Sequence, residues 1–307
     1  ILSGLVGSEM CIRDRGNPGL TLMRSVGGVG VLAGLFGVLA LRLPPFAIVA
    51  AALVALVCLR EGVYRGLLVT LIGGALVAAG WFTLGSRPGL AFPLVLPLWP
   101  TLLLMAEWVR RGRSLGTALA VAGAVMVSFV AFMHFLTGDV VGFWHEWLTR
   151  AVAAVPGATV KGFEDNDTVR LMNGFMALLL GLALFLALLL GRWMQSLMSG
   201  RPRFAAEFRQ LALPFWFLPV MVTLIWAGGV VDPILLADLL MVAILLYAFV
   251  GLAVLHGVLA VRGQSQGWAL PAYVLLVYFP PQALAALALV GAVDVFVRFR
   301  VQQPADR

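Results

Sequence analysis

Asp238 and His256 stand inside a long apolar run, Pro233 to Arg262, which reads PILLADLLMVAILLYAFVGLAVLHGVLAVR. A carboxyl and an imidazole can hold and pass protons or grip a polar ligand. Inside a membrane both are costly enough that they face a bundle interior or a cavity. At about 100° per residue their spacing makes about five whole turns, so both lie on one helix face roughly 27 Å apart. Leu245, Phe249 and Leu252 line that face between them, which puts Asp238 near one surface and His256 near the other. Each also has a plainer reading. His256 can serve as an interhelical hydrogen bond, and Asp238 as a carboxylate in the outer interface beside a helix N-terminus, whose dipole favours an anion. His134, in a separate apolar run, is the third candidate for substrate or proton-relay chemistry.

The remaining polar residues read mainly as structure. Asp294 and Arg298 are four apart, and Glu107 lies close before Arg110 and Arg111, spacings at which helical side chains pair. Arg203 and Glu207 share the four-residue spacing on a basic amphipathic link, residues 200–212, where Phe204, Phe208 and Leu211 fall on one side. That link is either an interfacial elbow helix or a docking site for a partner. Small residues four apart recur at Gly30 and Gly34, Ala33 and Gly37, Gly74 and Ala78, and Ala75 and Ala79. The spacing lets backbones approach closely, either within the bundle or against another membrane subunit. There is no Walker lysine motif, HExxH, GxSxG or CxxC, and the only cysteines are Cys11 and Cys58. We therefore expect no catalytic residue, no metal centre and no cofactor.

The elements that must position these residues are membrane helices. Of 307 residues 62% are hydrophobic and 11% charged, and the mean hydropathy is +1.02. These values lie far outside the range of soluble domains. The net charge of +7 does not indicate nucleic acid, because the basic residues occur in small groups between apolar runs. Leu5 to Arg15, LVGSEMCIRDR, look like the translation of a sequencing-library adapter, so residues 1–15 are set aside as a scar. A single transmembrane domain is expected over residues 16–300, followed by a tail, 301–307. Its apolar runs are Gly27 to Leu41, Phe46 to Leu59, Gly66 to Leu84, Leu90 to Trp108, Leu115 to Leu136, Asn173 to Met198, Pro214 to Gly229, Pro233 to Arg262 and Trp268 to Val297. Pro44 and Pro45 should set a tight hairpin, Pro93, Pro97 and Pro100 should break or kink the fourth run, and Pro280 and Pro281 should break the last.

Alternate connections differ in charge. One set holds ten basic residues, Arg60, Arg65, Arg110, Arg111, Arg113, Arg192, Arg201, Arg203, Arg209 and Arg262; the other holds five, Arg42, Arg87, Arg150, Lys161 and Arg170. The richer side is expected to be cytoplasmic, which places the polar loop 139–173 outside. That loop carries Trp144, Trp147 and the acidic group around Asp165, and reads as a lid or as an interfacial helix with an aromatic anchor. Arg298 and Arg300 belong on the basic side by the same rule. A hairpin or re-entrant segment at Pro280-Pro281 would take them there, where a single span would not.

Four fragments resemble the YybS-like family of bacterial integral membrane proteins: LREGVYRG at Leu59 to Gly66, RFAAEFRQLAL at Arg203 to Leu213, GLAVLHGVLAVRG at Gly251 to Gly263, and LVGAVDVFVRFR at Leu289 to Arg300. That family resembles in fold the substrate-binding membrane subunits of energy-coupling-factor transporters. The resemblance implies a bundle core that takes a small molecule from outside, and small-residue faces that dock on a transmembrane coupling subunit with its ATPases. It transfers no ligand-binding residue. The expectation is thus an all-α, multi-pass helical bundle of eight to ten segments in the bacterial inner membrane, serving small-molecule recognition or transport. A non-transporting scaffold that binds other proteins is the alternative.

Overall fold

The computed structural model describes residues 25–83, 95–153, 168–200 and 203–300. They form an all-α bundle with no strand among them, of twelve α-helices. In chain order these are α1 (Val26–Ala40), α2 (Phe46–Glu61), α3 (Val63–Thr83), α4 (Val95–Arg110), α5 (Leu115–Thr137), α6 (Val140–Ala153), α7 (Met172–Met198), α8 (Phe204–Arg209), α9 (Phe217–Val231), α10 (Pro233–Val261), α11 (Leu270–Tyr278) and α12 (Pro280–Val297). Short 3-10 turns at Thr168–Leu171 and Gln266–Ala269 lead into α7 and α11. Five helical stretches, Val63–Thr83, Leu115–Thr137, Thr168–Met198, Pro233–Val261 and Pro280–Val297, are long and apolar enough to cross a membrane. A multi-pass membrane bundle is the architecture that satisfies such helices, since every backbone group bonds within its own helix.

Two helices are sheathed by the others. Ala50 to Leu59 of α2 are buried without a gap, as expected of a helix apolar all round. It packs against α1, α3, α4 and α7. α10 does the same for the second half, gathering α5, α7, α9 and α12, so α7 joins the two groups. Asp232 starts α10 by accepting a hydrogen bond from the Ile234 N–H at 2.9 Å, with Pro233 at the first helical position.

Several boundaries differ from expectation for local reasons. α3 begins at Val63 rather than Gly66, because one residue, Gly62 at φ 95°, makes the whole turn from α2. A left-handed backbone there is open to glycine at no steric cost. α4 runs unbroken through Pro100. Pro97 falls in its first turn, where a missing N–H costs little, and Pro93 lies outside the described residues. Residues 140–153 of the 139–173 connection are α6, an amphipathic helix that buries Val140, Trp144 and Leu148. Lys161, Glu164, Asp165 and Asp167 lie outside the described residues.

Contacts sort the two ends of the bundle by charge. At one end the Gln195 side chain donates to the Leu59 carbonyl, Arg110 lies beside Gly62, Arg192 pairs with Glu207, and Arg300 donates to the carbonyls of Arg209 and Leu211. We call this the basic end. Asp232, Asp238, His134 and Asn173 meet at the other.

The last segment is a hairpin broken at Pro280, as expected. Gln266 and Tyr273, at its start, touch His256. Arg300, just past its end, lies against Gly257. Both limbs therefore open at the basic end. α11, with nine residues, rises only about 13.5 Å, less than half the hydrocarbon thickness. The tightest helix crossing holds this hairpin to α10. A Cβ on Gly251 would stand 2.7 Å from the Leu287 carbonyl carbon, and one on Gly291 would meet the backbone of Tyr247 and Gly251. Neither glycine has a small residue four positions away in its own helix, so the paired spacing did not reveal the crossing.

The small-residue faces are only partly as expected. Gly30, Ala33, Gly34 and Gly37 are buried on α1, with Gly30 against Ile72 and Gly34 against Leu76 and Gly73. They are used inside the chain. On α3 the buried small residues are Gly66, Gly73 and Gly80. Gly74 and Ala78 are only half-buried, and Ala75 and Ala79 face outward. The helix is turned so that Val69, Gly73 and Val77 meet its neighbours.

Candidate functional site

Asp238 is the most deeply placed of the candidate residues. It is fully buried and faces the bundle interior. α10 starts six residues earlier at Asp232, and α5 and α7 close over this turn. Its Oδ2 accepts from Asn173 Nδ2 of α7 at 2.6 Å and lies 3.0 Å from His134 Nε2 of α5. The His134 Nδ1 lies 3.7 Å from Asp232 Oδ2, so one imidazole stands between two carboxylates. Trp144 of α6 donates its indole N–H to Asn173 Oδ1 at 3.3 Å. Since that N–H can only donate, it orients the amide so that the NH2 of Asn173 faces Asp238. Asp238 Oδ1 is buried with no hydrogen-bond partner. Gly174 lets α7 come close to it: a Cβ there would lie 2.8 Å from that oxygen and 2.8 Å from Met241 Sδ.

His256 sits at the basic end among different company. Its Nδ1 lies 2.7 Å from Gln266 Oε1 and its Nε2 2.8 Å from the Tyr273 hydroxyl. The amide oxygen accepts, so a neutral ring carries its proton on Nδ1 and receives the phenol hydrogen at Nε2. His256, Gln266 and Tyr273 form one wall of a cavity of about 470 Å³. Phe249 and Leu252 of α10, Leu186 and Leu189 of α7, and Phe204 and Phe208 of α8 form the apolar walls, with Arg209 at the side. Phe249 and Leu252 were expected on the His256 face, whereas Leu245 is packed into the core.

The structural ion pairs hold in one case and shift in two. Glu107 receives Arg110 through Nε and Nη2 at 2.7 Å each and Arg111 through Nε at 2.8 Å, as expected. Asp294 pairs with Arg300 instead of Arg298. The helix stops at Arg298 in the left-handed region, φ 50°, and the chain turns so that Asp294 caps the Phe299 N–H at 3.0 Å. Glu207 pairs with Arg192 of α7 at 2.6 and 2.8 Å rather than with Arg203, because α8 lies against the basic end of α7.

The structure thus brings Asp238 and His134 together and leaves His256 in a separate site. Asn173 was read only as a loop boundary, and Gln266, Tyr273 and Asp232 carried no role. No spacing rule links residues 104 positions apart, as His134 and Asp238 are. Among the described residues no group of three His, Cys, Asp or Glu side chains is arranged to hold a metal ion. Comparison with protein-family models, with curated proteins and with solved structures finds no match for this chain.

Proposed function

We propose that this chain recognises a small molecule at the cavity beside His256, as part of a transport system in the bacterial inner membrane. The observation that carries the reading is the cavity itself. Its volume of about 470 Å³ falls within the roughly 300–1,000 Å³ range of small-molecule sites, and apolar walls with a few convergent polar groups are the usual composition. The aromatic and aliphatic walls suit an apolar body, the His256, Gln266 and Tyr273 edge suits a hydrogen-bonding group, and Arg209 favours an anionic one. Since the basic end is the cytoplasmic one by the positive-inside rule, the ligand is received or released on that side. An outward-facing site, as in energy-coupling-factor subunits, is not what this cavity supports. A coupling subunit with ATPases remains part of the proposal, docked away from the glycine face of α1.

The test is native mass spectrometry of protein released gently from its own membrane, followed by thermal unfolding with a metabolite panel. A retained small molecule, or a compound that stabilises the protein by about 2.7 kcal/mol at a hundred times its Kd, supports the reading if Phe208→Trp abolishes the effect. Stabilisation that survives Phe208→Trp and Tyr273→Phe places the ligand elsewhere. A protein partner retained with no ligand response would replace transport with a scaffold.

A further inference from the structure

The polar cluster at the acidic end is independent of the cavity and has its own logic. Side-chain exposure falls in steps along it, from 36% at Asp232 to 17% at His134 and 0% at Asp238. Its hydrogen bonds converge on Asp238 Oδ2, while Oδ1 has no donor. A buried carboxylate with one bare oxygen is poorly compensated, because an unsatisfied anionic acceptor keeps its full desolvation cost. A proton removes that cost.

We infer that Asp232, His134 and Asp238 form a proton-loading site that carries a proton from the acidic end to a fully buried carboxyl. His134, holding a hydrogen on Nε2, takes a proton from water or from Asp232 on Nδ1 and delivers the Nε2 hydrogen to Asp238. The ring ends neutral and Asp238 ends as a carboxylic acid. One proton moves inward, only N–H and O–H bonds are exchanged, and no electrons are transferred. Asn173, held by Trp144, donates to Oδ2 in both states and so keeps the carboxyl oriented. Asp238 is surrounded by few other charges among the described residues. Of the elements packed against α10, α5 brings His134 and the 3-10 turn Thr168–Leu171 brings the exposed Arg170. α9 brings no ionisable group, and the ionisable groups of α7, α8 and α12, namely Arg192, Glu207, Arg209 and Asp294, all lie at the basic end.

The test is infrared difference spectroscopy of the full-length protein in lipid nanodiscs during a pH titration, following the carbonyl stretch of protonated carboxyls. The expected result is a band that grows as pH falls and is missing in Asp238→Asn. Its midpoint should move by about threefold or more in proton concentration in His134→Gln and in Asp232→Asn. Asp232→Asn preserves the helix cap, so if Asp238→Asn fails to fold, the other two variants decide. A titrating band that persists in Asp238→Asn overturns the proposal. So does a band unmoved by both His134→Gln and Asp232→Asn, which would mark an isolated acid, and so does the absence of any titrating band, which would make the cluster a fixed polar clamp.

Discussion

Gly251→Ala tests whether the α10–α12 crossing is as close as described. The new methyl would stand 2.7 Å from the Leu287 carbonyl carbon and 3.1 Å from its Cα, where ordinary contact begins at 3.4 Å. These atoms and the Leu287 carbonyl oxygen, which lies closer still, are all backbone, so no side chain can swing aside, and the helices must part by more than about 0.7 Å. A gap of roughly 0.5–1 Å already forfeits a quarter to a half of each dispersion contact across an interface. In a bilayer, where lipid is as apolar as leucine, such contacts are the main force between helices. Overpacking costs about 1–3 kcal/mol at flexible sites, and the rigid backbone puts this site at or above the upper end. Alanine returns about 1 kcal/mol in helix propensity, leaving a net loss of about 2 kcal/mol. Gly229→Ala is the control. Its methyl would meet only Leu236 side-chain atoms at 3.5 Å, so propensity alone acts and stability should hold or rise by up to about 1 kcal/mol. Denaturant unfolding of both variants in bicelles measures the difference. Gly251→Ala at or above wild-type stability would refute the crossing.

Thermal unfolding of four variants, two at each site, tests the reassigned ion pairs. Arg300→Met should cost about 3 kcal/mol, since it strands the Asp294 carboxylate at 6% exposure and frees the carbonyls of Arg209 and Leu211. Arg298→Gly should be neutral or stabilising by about 1 kcal/mol, because glycine relieves the left-handed backbone there. Glu207→Gln should cost about 1 kcal/mol through loss of its paired bonds with Arg192, at side-chain exposures of 31% and 25%. Arg203→Ala should stay within about 0.5 kcal/mol of wild type, as a surface change normally does.

The helices were legible because apolar length and proline are local signals. Pro44-Pro45, Asp232-Pro233 and Pro280-Pro281 each mark a boundary that the structure keeps. Glu107 with Arg110 and Arg111 was legible for the same reason, being contained within a helix and the turn just after it. Asp294 was misassigned because the four-residue rule presumes that the helix continues, and Arg298 ends it. Glu207 was misassigned because its partner belongs to a different helix. His134 and Asp238 were each marked by being ionisable in apolar runs, yet their meeting depends on the antiparallel course of α5 and α10. Asn173 carried no charge to draw notice. The Gly251–Gly291 crossing was hidden because each helix contributes a single glycine to it.

The hairpin of α11 and α12 bears on how the chain is assembled. Both of its limbs open at the end where α10 finishes, so no residue between Val261 and Arg300 needs to be carried across the bilayer. α11 is too short to span by itself, and its nine residues bury no side chain fully. It gains its place only as part of a pair whose longer member is seated by Gly251 and Gly291. The groove that receives α12 exists once α10 is in position, so the order of synthesis is also the order in which the pieces become able to bind. A chain halted after α10 would leave Gly251 facing lipid and the His256 cavity without its Gln266 and Tyr273 wall, a membrane-inserted intermediate with the cavity still open on that side.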